Sequence, residues 1–374
     1  MFETDTLSIL YGVQATGNGH ITRSREIVKT LKERGHHVEV IVSGRPASEL
    51  WGMETFKPYH LFDGLTFKTR AGKVQKLSTI LSSHPLTMIR DINEFCAAEI
   101  DLVISDFEPI SARIARKHGI PSIGIGHQYA FQYQVPMASS NPFSKMFIQK
   151  FAPVDLGIGL HWHHYDAPIL PPIIPSAPGA DSINEGSILV YLPFESHPEL
   201  MAQLRKVVDL DFILYSDQIT PGYSGNVTIK PLSRETFPLD LQQVEGVICN
   251  AGFELPSEAI SLGKKILVKP LRGQPEQESN AIALQNLKCG RRCDRISPEV
   301  IMNWYIHEKG RGFIFPNIVP ELVDWLEIGQ WDLASLGLLS QKLWSGVIPL
   351  SAFNESLHGF EESYGAEEKY YEPV

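Results

Sequence analysis

VICNAGFELPSEAISLGKKILVKPLRGQPEQESNAIALQNL, residues 247–287, decides the fold. It reads as a strand over Val247–Cys249, an Asn-Ala-Gly turn, a helix, a second strand over Lys265–Val268, a loop and another helix. Pro256 suits a helix's first turn and Gly263 a left-handed helix exit. A parallel strand-helix-strand unit places the turn after Asn250 and the loop 271–275 side by side at the carboxyl ends of neighbouring strands. Both loops feed helix N-termini, whose free N–H groups and partial positive charge suit a diphosphate. The reading sets Glu258 in the first turn of one helix and Glu276 with Gln277 in that of the other. These side chains either accept bonds from hydroxyl groups or complement their helix dipoles, an effect of about 0.3–1 kcal/mol each. Diphosphate and polyol together point to a sugar nucleotide.

Working outward, 374 residues are enough for about two domains. The prolines 168, 171, 172, 175 and 178 break any helix or central strand, so the expected division is 1–170, a linker 171–186, a second domain 187–345 and an extension 346–374 ending in an acidic tail. A net charge of −10 argues against a nucleic-acid partner. No run approaches the roughly 20 apolar residues of a membrane span, and MFETDTLSILYG lacks a basic leader, so a cytoplasmic chain is expected. The four cysteines form no paired C-x-x-C pattern, and neither a metal nor another cofactor is expected.

The first half opens with a strand Leu7–Val13, a loop Gln14–His20, a helix carrying Ile27, Val28 and Leu31 on one face, and a strand Val38–Val42. The motif Gly17-x-Gly19-x-x-Thr22 lacks the third small residue of a dinucleotide fingerprint, and the second strand ends in Ser43-Gly44-Arg45 rather than in an acid; only a weak NADP reading through Arg45 survives. His20 stands at the positive end of its helix, where an imidazole tends to stay neutral and can accept a proton. Asp106 ends a strand over Ile100–Ser105, and Gly126-His127-Gln128 ends another over Pro121–Ile125. A doubly wound sheet gathers these ends beside the loop Gly17–His20, within reach of His20, where Asp106 would fix a histidine tautomer; its other reading is a helix N-cap. Lys68, Arg70, Lys73 and Lys76 surround Ala71-Gly72 and form either an acceptor-phosphate loop or a solvated one. Phe143, Met146, Phe147 and Phe151 make a helical stripe, read as core or as a lipid-facing surface. His161-Trp162-His163-His164 reads as an interdomain surface, and Ser196-His197-Pro198-Glu199 as a capping box.

Here the residues reach a family. Cys249-Asn250-Ala251-Gly252, Ser257-Glu258-Ala259-Ile260, Leu262-Gly263 and the block 270–281 resemble the GT-B glycosyltransferases, the type that includes the N-acetylglucosaminyltransferase of peptidoglycan synthesis and the galactolipid synthases. The resemblance implies that Glu258 holds the nucleotide ribose and that Glu276 and Gln277 touch the donor sugar. It also implies an acceptor-side role for Gly17, Asn18, Gly19 and His20, as in a G-x-G-H loop, and for His127 and Gln128, as in an H-E-Q segment. Two departures bear on the donor: Pro193-Phe194-Glu195-Ser196 lacks glycines expected there, and Glu276 replaces a glutamine. The pairing of His20 with Asp106 resembles the dyad of inverting UDP-sugar transferases that act on small molecules.

The expectation is therefore an α/β protein of GT-B class, two Rossmann-like doubly wound domains facing a cleft. His20 and Asp106 are the candidate catalytic pair. Asn250, Ala251, Gly252, Phe253, Glu258, Glu276 and Gln277 are the donor side; Gly17, Asn18, Gly19, His127, Gln128, Arg70 and Lys73 are the acceptor side. The expected reaction moves a hexosyl or N-acetylhexosaminyl group from a UDP-sugar to an acceptor hydroxyl, inverting and metal-free. A glycan or a lipid-linked sugar of the cell envelope fits as acceptor, with peripheral contact at the inner membrane face. The rivals are a nucleotide-sugar 2-epimerase and a non-catalytic sugar-nucleotide-binding protein.

Overall fold

A computed structural model describes residues 6–50, 52–63, 69–70, 73–74, 85–138, 150–175 and 184–351. The first half builds a 6-stranded parallel sheet from β1 (Ser8–Gln14), β2 (His37–Ser43), β3 (Tyr59–Phe62), β6 (Leu102–Asp106), β7 (Ser122–Gly126) and β8 (Leu156–Gly159), in the order β3-β2-β1-β6-β7-β8. β4 (Thr69–Arg70) and β5 (Lys73–Val74) form a separate antiparallel hairpin. Buried side chains run almost unbroken along β1, β6 and β7, as expected of parallel strands covered on both faces. The order reverses between β1 and β6, so the loops that leave these two strands diverge and open a crevice.

The second half repeats the plan. β9 (Asn184–Tyr191), β10 (Asp211–Tyr215), β11 (Gly222–Ser224), β12 (Val227–Lys230), β13 (Val244–Cys249), β14 (Lys265–Val268) and β15 (Arg291–Arg292) lie in the order β11-β12-β10-β9-β13-β14-β15, with only β11 antiparallel. The helices Glu254–Ser261 and Pro275–Asn286 follow β13 and β14, and Gly263 takes the left-handed conformation at φ +65°. The expected capping box at Ser196 does not form: Ser196 precedes the helix His197–Leu204 but makes no side-chain cap bond.

One apolar cluster joins the two halves, running from Ile9 and Leu31 to Val247 and Leu322. The last helices, Val319–Ile328 and Leu333–Ser345, sit against the first half. Arg34 pairs with Asp324 and Glu327, and Ser340 Oγ and Trp344 Nε1 both donate to the Ile169 carbonyl at 2.7 Å. Among the described residues no helix is long and apolar enough to cross a membrane. The stripe Phe143, Met146 and Phe147 lies outside the described residues; Phe151 is buried. All four cysteines are free thiols.

The close approach of β8 to the segment His127–Ala130 needs glycine. A Cβ on Gly159 would lie 2.5 Å from Ala130 Cα and 2.7 Å from its amide nitrogen, backbone atoms with little room to yield. Gly159→Ala is expected to lower stability by about 1–3 kcal/mol, the usual cost of overpacking, seen as a lower Tm; an unchanged Tm would mean the contact relaxes freely.

Candidate functional site

The helix Asn18–Glu33 starts at the carboxyl end of β1, with Gly17 as N-cap, and puts His20 in its first turn. β6 is the strand beside β1 and ends in Asp106, so the switch point itself brings the two residues together. His20 Nδ1 lies 2.8 Å from Asp106 Oδ1, and Asp106 is fully buried. Arg23, one turn along the same helix and 2% exposed, donates from Nε to Asp106 Oδ2 at 2.8 Å and from Nη2 to Oδ1. Ser24 Oγ also donates to Asp106 Oδ2 at 2.8 Å. Burial alone would raise the Asp106 carboxyl, but the charges of Arg23 and His20 outweigh it and hold the group below its ordinary value. Arg23 is likewise penalised by burial and more than compensated by Asp106 and Glu254, which keep it firmly protonated.

Asp106 is not the cap of the helix that follows. Glu108 is, accepting from the amides of Ile110 at 2.9 Å and Ser111 at 2.6 Å, and from Ser43 Oγ at 2.6 Å. Between the two acids Phe107 adopts φ +52°, a left-handed conformation rare for a bulky residue. That turn separates the capping carboxylate from the one that faces His20.

Across the crevice, the turn after β13 carries the expected donor side. Asn250 Nδ2 donates to the Lys269 carbonyl at 2.9 Å, whereas its Oδ1 is buried without a partner. The carbonyl of buried Ala251 accepts from Asn280 Nδ2 at 3.1 Å. A Cβ on Gly252 would meet nothing within 4 Å, so the turn is open there. The helix starts at Glu254, which moves Glu258 out of the first turn and leaves the dipole-complementing position to Glu254. Burial, with the charge of Glu254 adding to it, pushes the Glu258 carboxyl up to about 7. Glu276 accepts from Gln128 Nε2 at 3.2 Å. Gln277 turns inward: its Oε1 accepts from the Leu271 amide at 2.9 Å and closes the loop 271–275.

The two sides touch. His127 is fully buried, with Nδ1 donating to the Leu160 carbonyl at 2.8 Å and Nε2 lying 2.6 Å from Asn280 Oδ1. Its ring stacks on Phe253 at 4.1 Å and 5°, and Trp162 Nε1 donates to Ser257 Oγ at 2.7 Å. His127 thus joins the halves rather than facing the crevice, and burial lowers it below the ordinary imidazole range. Gln128 Oε1 has no partner; the missing side chain of Gly126 leaves it near Asp106, since a Cβ there would stand 3.2 Å from Asp106 Oδ1 and 3.3 Å from Gln128 Oε1. Asn18 Oδ1 accepts from Arg45 at 2.9 Å, and Arg45 also reaches the Thr16 carbonyl, so the arginine of the NADP reading braces the glycine loop instead. Gly19 approaches the other half so closely that a Cβ would lie 2.3 Å from Glu254 Oε2. Arg70 and Lys73 lie on the hairpin, and their side chains fall outside the described residues. Among the described residues no group of three or more His, Cys, Asp and Glu could hold a metal ion.

Sequence reasoning passed over Arg23 and Glu254, which pair across the crevice. The signal for Arg23 was its place three residues after His20, a spacing that puts both side chains on one helix face.

The family described as glycosyl transferase family 1 matches residues 7–307. Among solved structures, the glycotransferase of kitacinnamycin aligns with a TM-score of 0.58 at 15% identity, over 90% of this chain and 97% of that one. MurG of Acinetobacter baumannii aligns with a TM-score of 0.54 at 14% identity, over 86% and 99%. UGT2 of Phytolacca americana, complexed with UDP-2-fluoro-glucose and pterostilbene, aligns at 0.50 and 14%, over 91% and 95%. No curated protein matches by sequence. At such identities the likeness shows the fold, the GT-B pairing of two Rossmann-like domains.

The raised Glu258 carboxyl has a pH signature. A group moved from 4.5 to about 7 favours the protonated folded state; its contribution is fully present below 4.5 and is lost as pH rises through 7. Glu258→Gln, which cannot ionise, is expected to melt near wild type at about pH 5 and above it at about pH 8 in the ligand-free protein. A Tm gap that does not widen between those pH values would show that the carboxyl is not desolvated.

Proposed function

The chain belongs to glycosyl transferase family 1, and from that membership we propose that it transfers a hexosyl or N-acetylhexosaminyl group from a UDP-sugar to an acceptor hydroxyl, with inversion and without a metal. The observation that carries the reading is the His20–Asp106 pair at the switch point of the first sheet, across the crevice from the open turn at Gly252. Gly252 and the start of the helix Glu254–Ser261 offer amides to the diphosphate. Glu258 accepts from the ribose hydroxyls. Glu276, held by Gln128, meets the sugar hydroxyls. Gln277 serves the same site indirectly, by fixing the loop that precedes Glu276.

With Nδ1–H donating to Asp106, His20 carries its lone pair on Nε2, which takes no bond among the described residues. Nε2 removes the acceptor proton as the acceptor oxygen bonds to the anomeric carbon from the face opposite the diphosphate. The bond from that carbon to the diphosphate breaks, its electron pair leaves with the nucleotide, and configuration inverts. Helix amides stabilise the departing charge, and Asp106 stabilises the imidazolium. The first-domain side of the crevice, at Gly17 and Asn18 and towards the hairpin of Arg70 and Lys73, receives the acceptor. A glycan or lipid-linked sugar fits that open side, the latter through peripheral contact at a membrane face.

A thermal-shift screen with UDP-glucose, UDP-N-acetylglucosamine and UDP is expected to raise Tm for at least one of them, since a ligand that binds only the folded state stabilises it. Glu258→Ala should abolish the shift. His20→Ala should keep it while transfer falls by about 10²–10⁴-fold, the usual contribution of a general base. No shift with any UDP ligand would overturn the donor assignment, and near-normal transfer by His20→Ala would overturn the base.

A further inference from the structure

The second sheet has a switch point of its own. Its order β10-β9-β13-β14 sends the chain from β9 to one side and from β13 to the other, so the loops that leave these two strands diverge at their carboxyl ends. The turn at Asn250, Ala251 and Gly252 lies on one side of this point and the loop 193–196 on the other.

That loop is poor in donors for an anion. Pro193 has no amide hydrogen, and the amide of Glu195 is taken up by the Leu192 carbonyl at 3.1 Å. The Glu195 carboxylate would by itself repel a diphosphate, but it is met by a cation from across the sheet.

The cation is Lys269, the first residue after β14. Its amide donates to the Cys249 carbonyl at 2.9 Å and its carbonyl accepts from Asn250 Nδ2 at 2.9 Å, so its backbone is tied to the end of β13. Since β13 lies between β14 and β9, the side chain must cross the end of β13 for Nζ to donate to Glu195 Oε1. The lysine side chain is 14% exposed and the glutamate 18%. An ammonium carries three N–H donors; Glu195 takes one, and the other two have no partner among the described residues. Glu195 also holds in one place a charge that a flexible four-carbon stem would leave mobile.

A largely shielded ammonium with two open donors, laid across the strand whose turn is open at Gly252, suits an anion. The proposed reaction supplies one. When the bond from the anomeric carbon to the diphosphate breaks, its electron pair comes to rest on a phosphate oxygen, and a fixed positive charge beside that oxygen stabilises it beyond what amide dipoles give.

We infer that Lys269 is a further catalytic residue: held by Glu195, its ammonium donates to the diphosphate of the nucleotide sugar and offsets the charge that builds on the departing nucleotide. The inference rests on the UDP-sugar reading and adds to it the cation that a metal-free transfer needs.

The test is calorimetric titration of the full chain with UDP and with uridine, in wild type, in Lys269→Met, and in Lys269→Met combined with Glu195→Gln. The double variant strands no carboxylate and keeps the test open should the single one fail to fold. The folded variants are expected to lose about 10- to 100-fold in affinity for UDP, the range for one hydrogen bond to a charged group, while uridine stays within about twofold of wild type. An ion pair that merely braces the two loops would lower Tm yet weaken UDP and uridine alike, or neither, and either result would overturn the inference. Wild type that binds neither ligand would overturn the UDP-sugar reading along with it; UDP binding lost in Glu258→Ala but kept in the lysine variants would overturn the lysine alone.

Discussion

A buried guanidinium governs this molecule. Arg23 is sealed from solvent, and a charge so placed must be met by carboxylates held in fixed positions. Asp106 meets it from β6, and Glu254 meets it from the other half. The first pairing fixes the edge of the first sheet where two strands diverge; the second sets how closely the halves approach. The glycines around it follow from the same demand: Gly19 admits Glu254, and Gly126 leaves space for the Asp106 carboxylate and Gln128.

Around this charge the interface is assembled from neutral contacts of another kind. His127 stacks on Phe253, Trp162 lies against Phe253 at 5.1 Å, and Asn280 reaches both His127 and Ala251. Burial pushes His127 and His161 below the ordinary imidazole range, since a charge there would be costly. The halves are therefore joined by a buried aromatic stack beside an ionic cluster in which Arg23 meets two carboxylates. Polar atoms left without partners, Asn250 Oδ1 and Gln128 Oε1, sit next to this junction, where a hydroxyl-rich ligand would satisfy them.

Much of this was legible in the sequence. The apolar runs of β1, β6, β7, β13 and β14 announced themselves because strands covered on both faces need no alternation. β3, with exposed and polar positions, and β8, half glycine, gave no such signal. Asp106 was readable as a partner for His20 because the strand order of a doubly wound sheet makes their ends neighbours. Its alternative as a cap is excluded by Glu108, two residues on, which holds the helix amides. Pro256 does lie in the first turn of its helix, but the helix begins at Glu254, so the first turn holds Glu254 and Glu258 falls in the second. The Glu254–Arg23 contact joins residues 231 positions apart and depends on how two domains meet, a relation that no local pattern encodes.

The terminal helices carry a mechanical consequence. The chain leaves the first half after β8, builds the second sheet, and returns so that Val319–Ile328 lies on the helix of His20, anchored by Arg34 and by His36, whose Nε2 is 3.0 Å from Glu327. The polypeptide thus crosses between the halves twice, and its terminal helix, laid on the helix that bears His20 and Arg23, staples the far end of the chain back onto the first half.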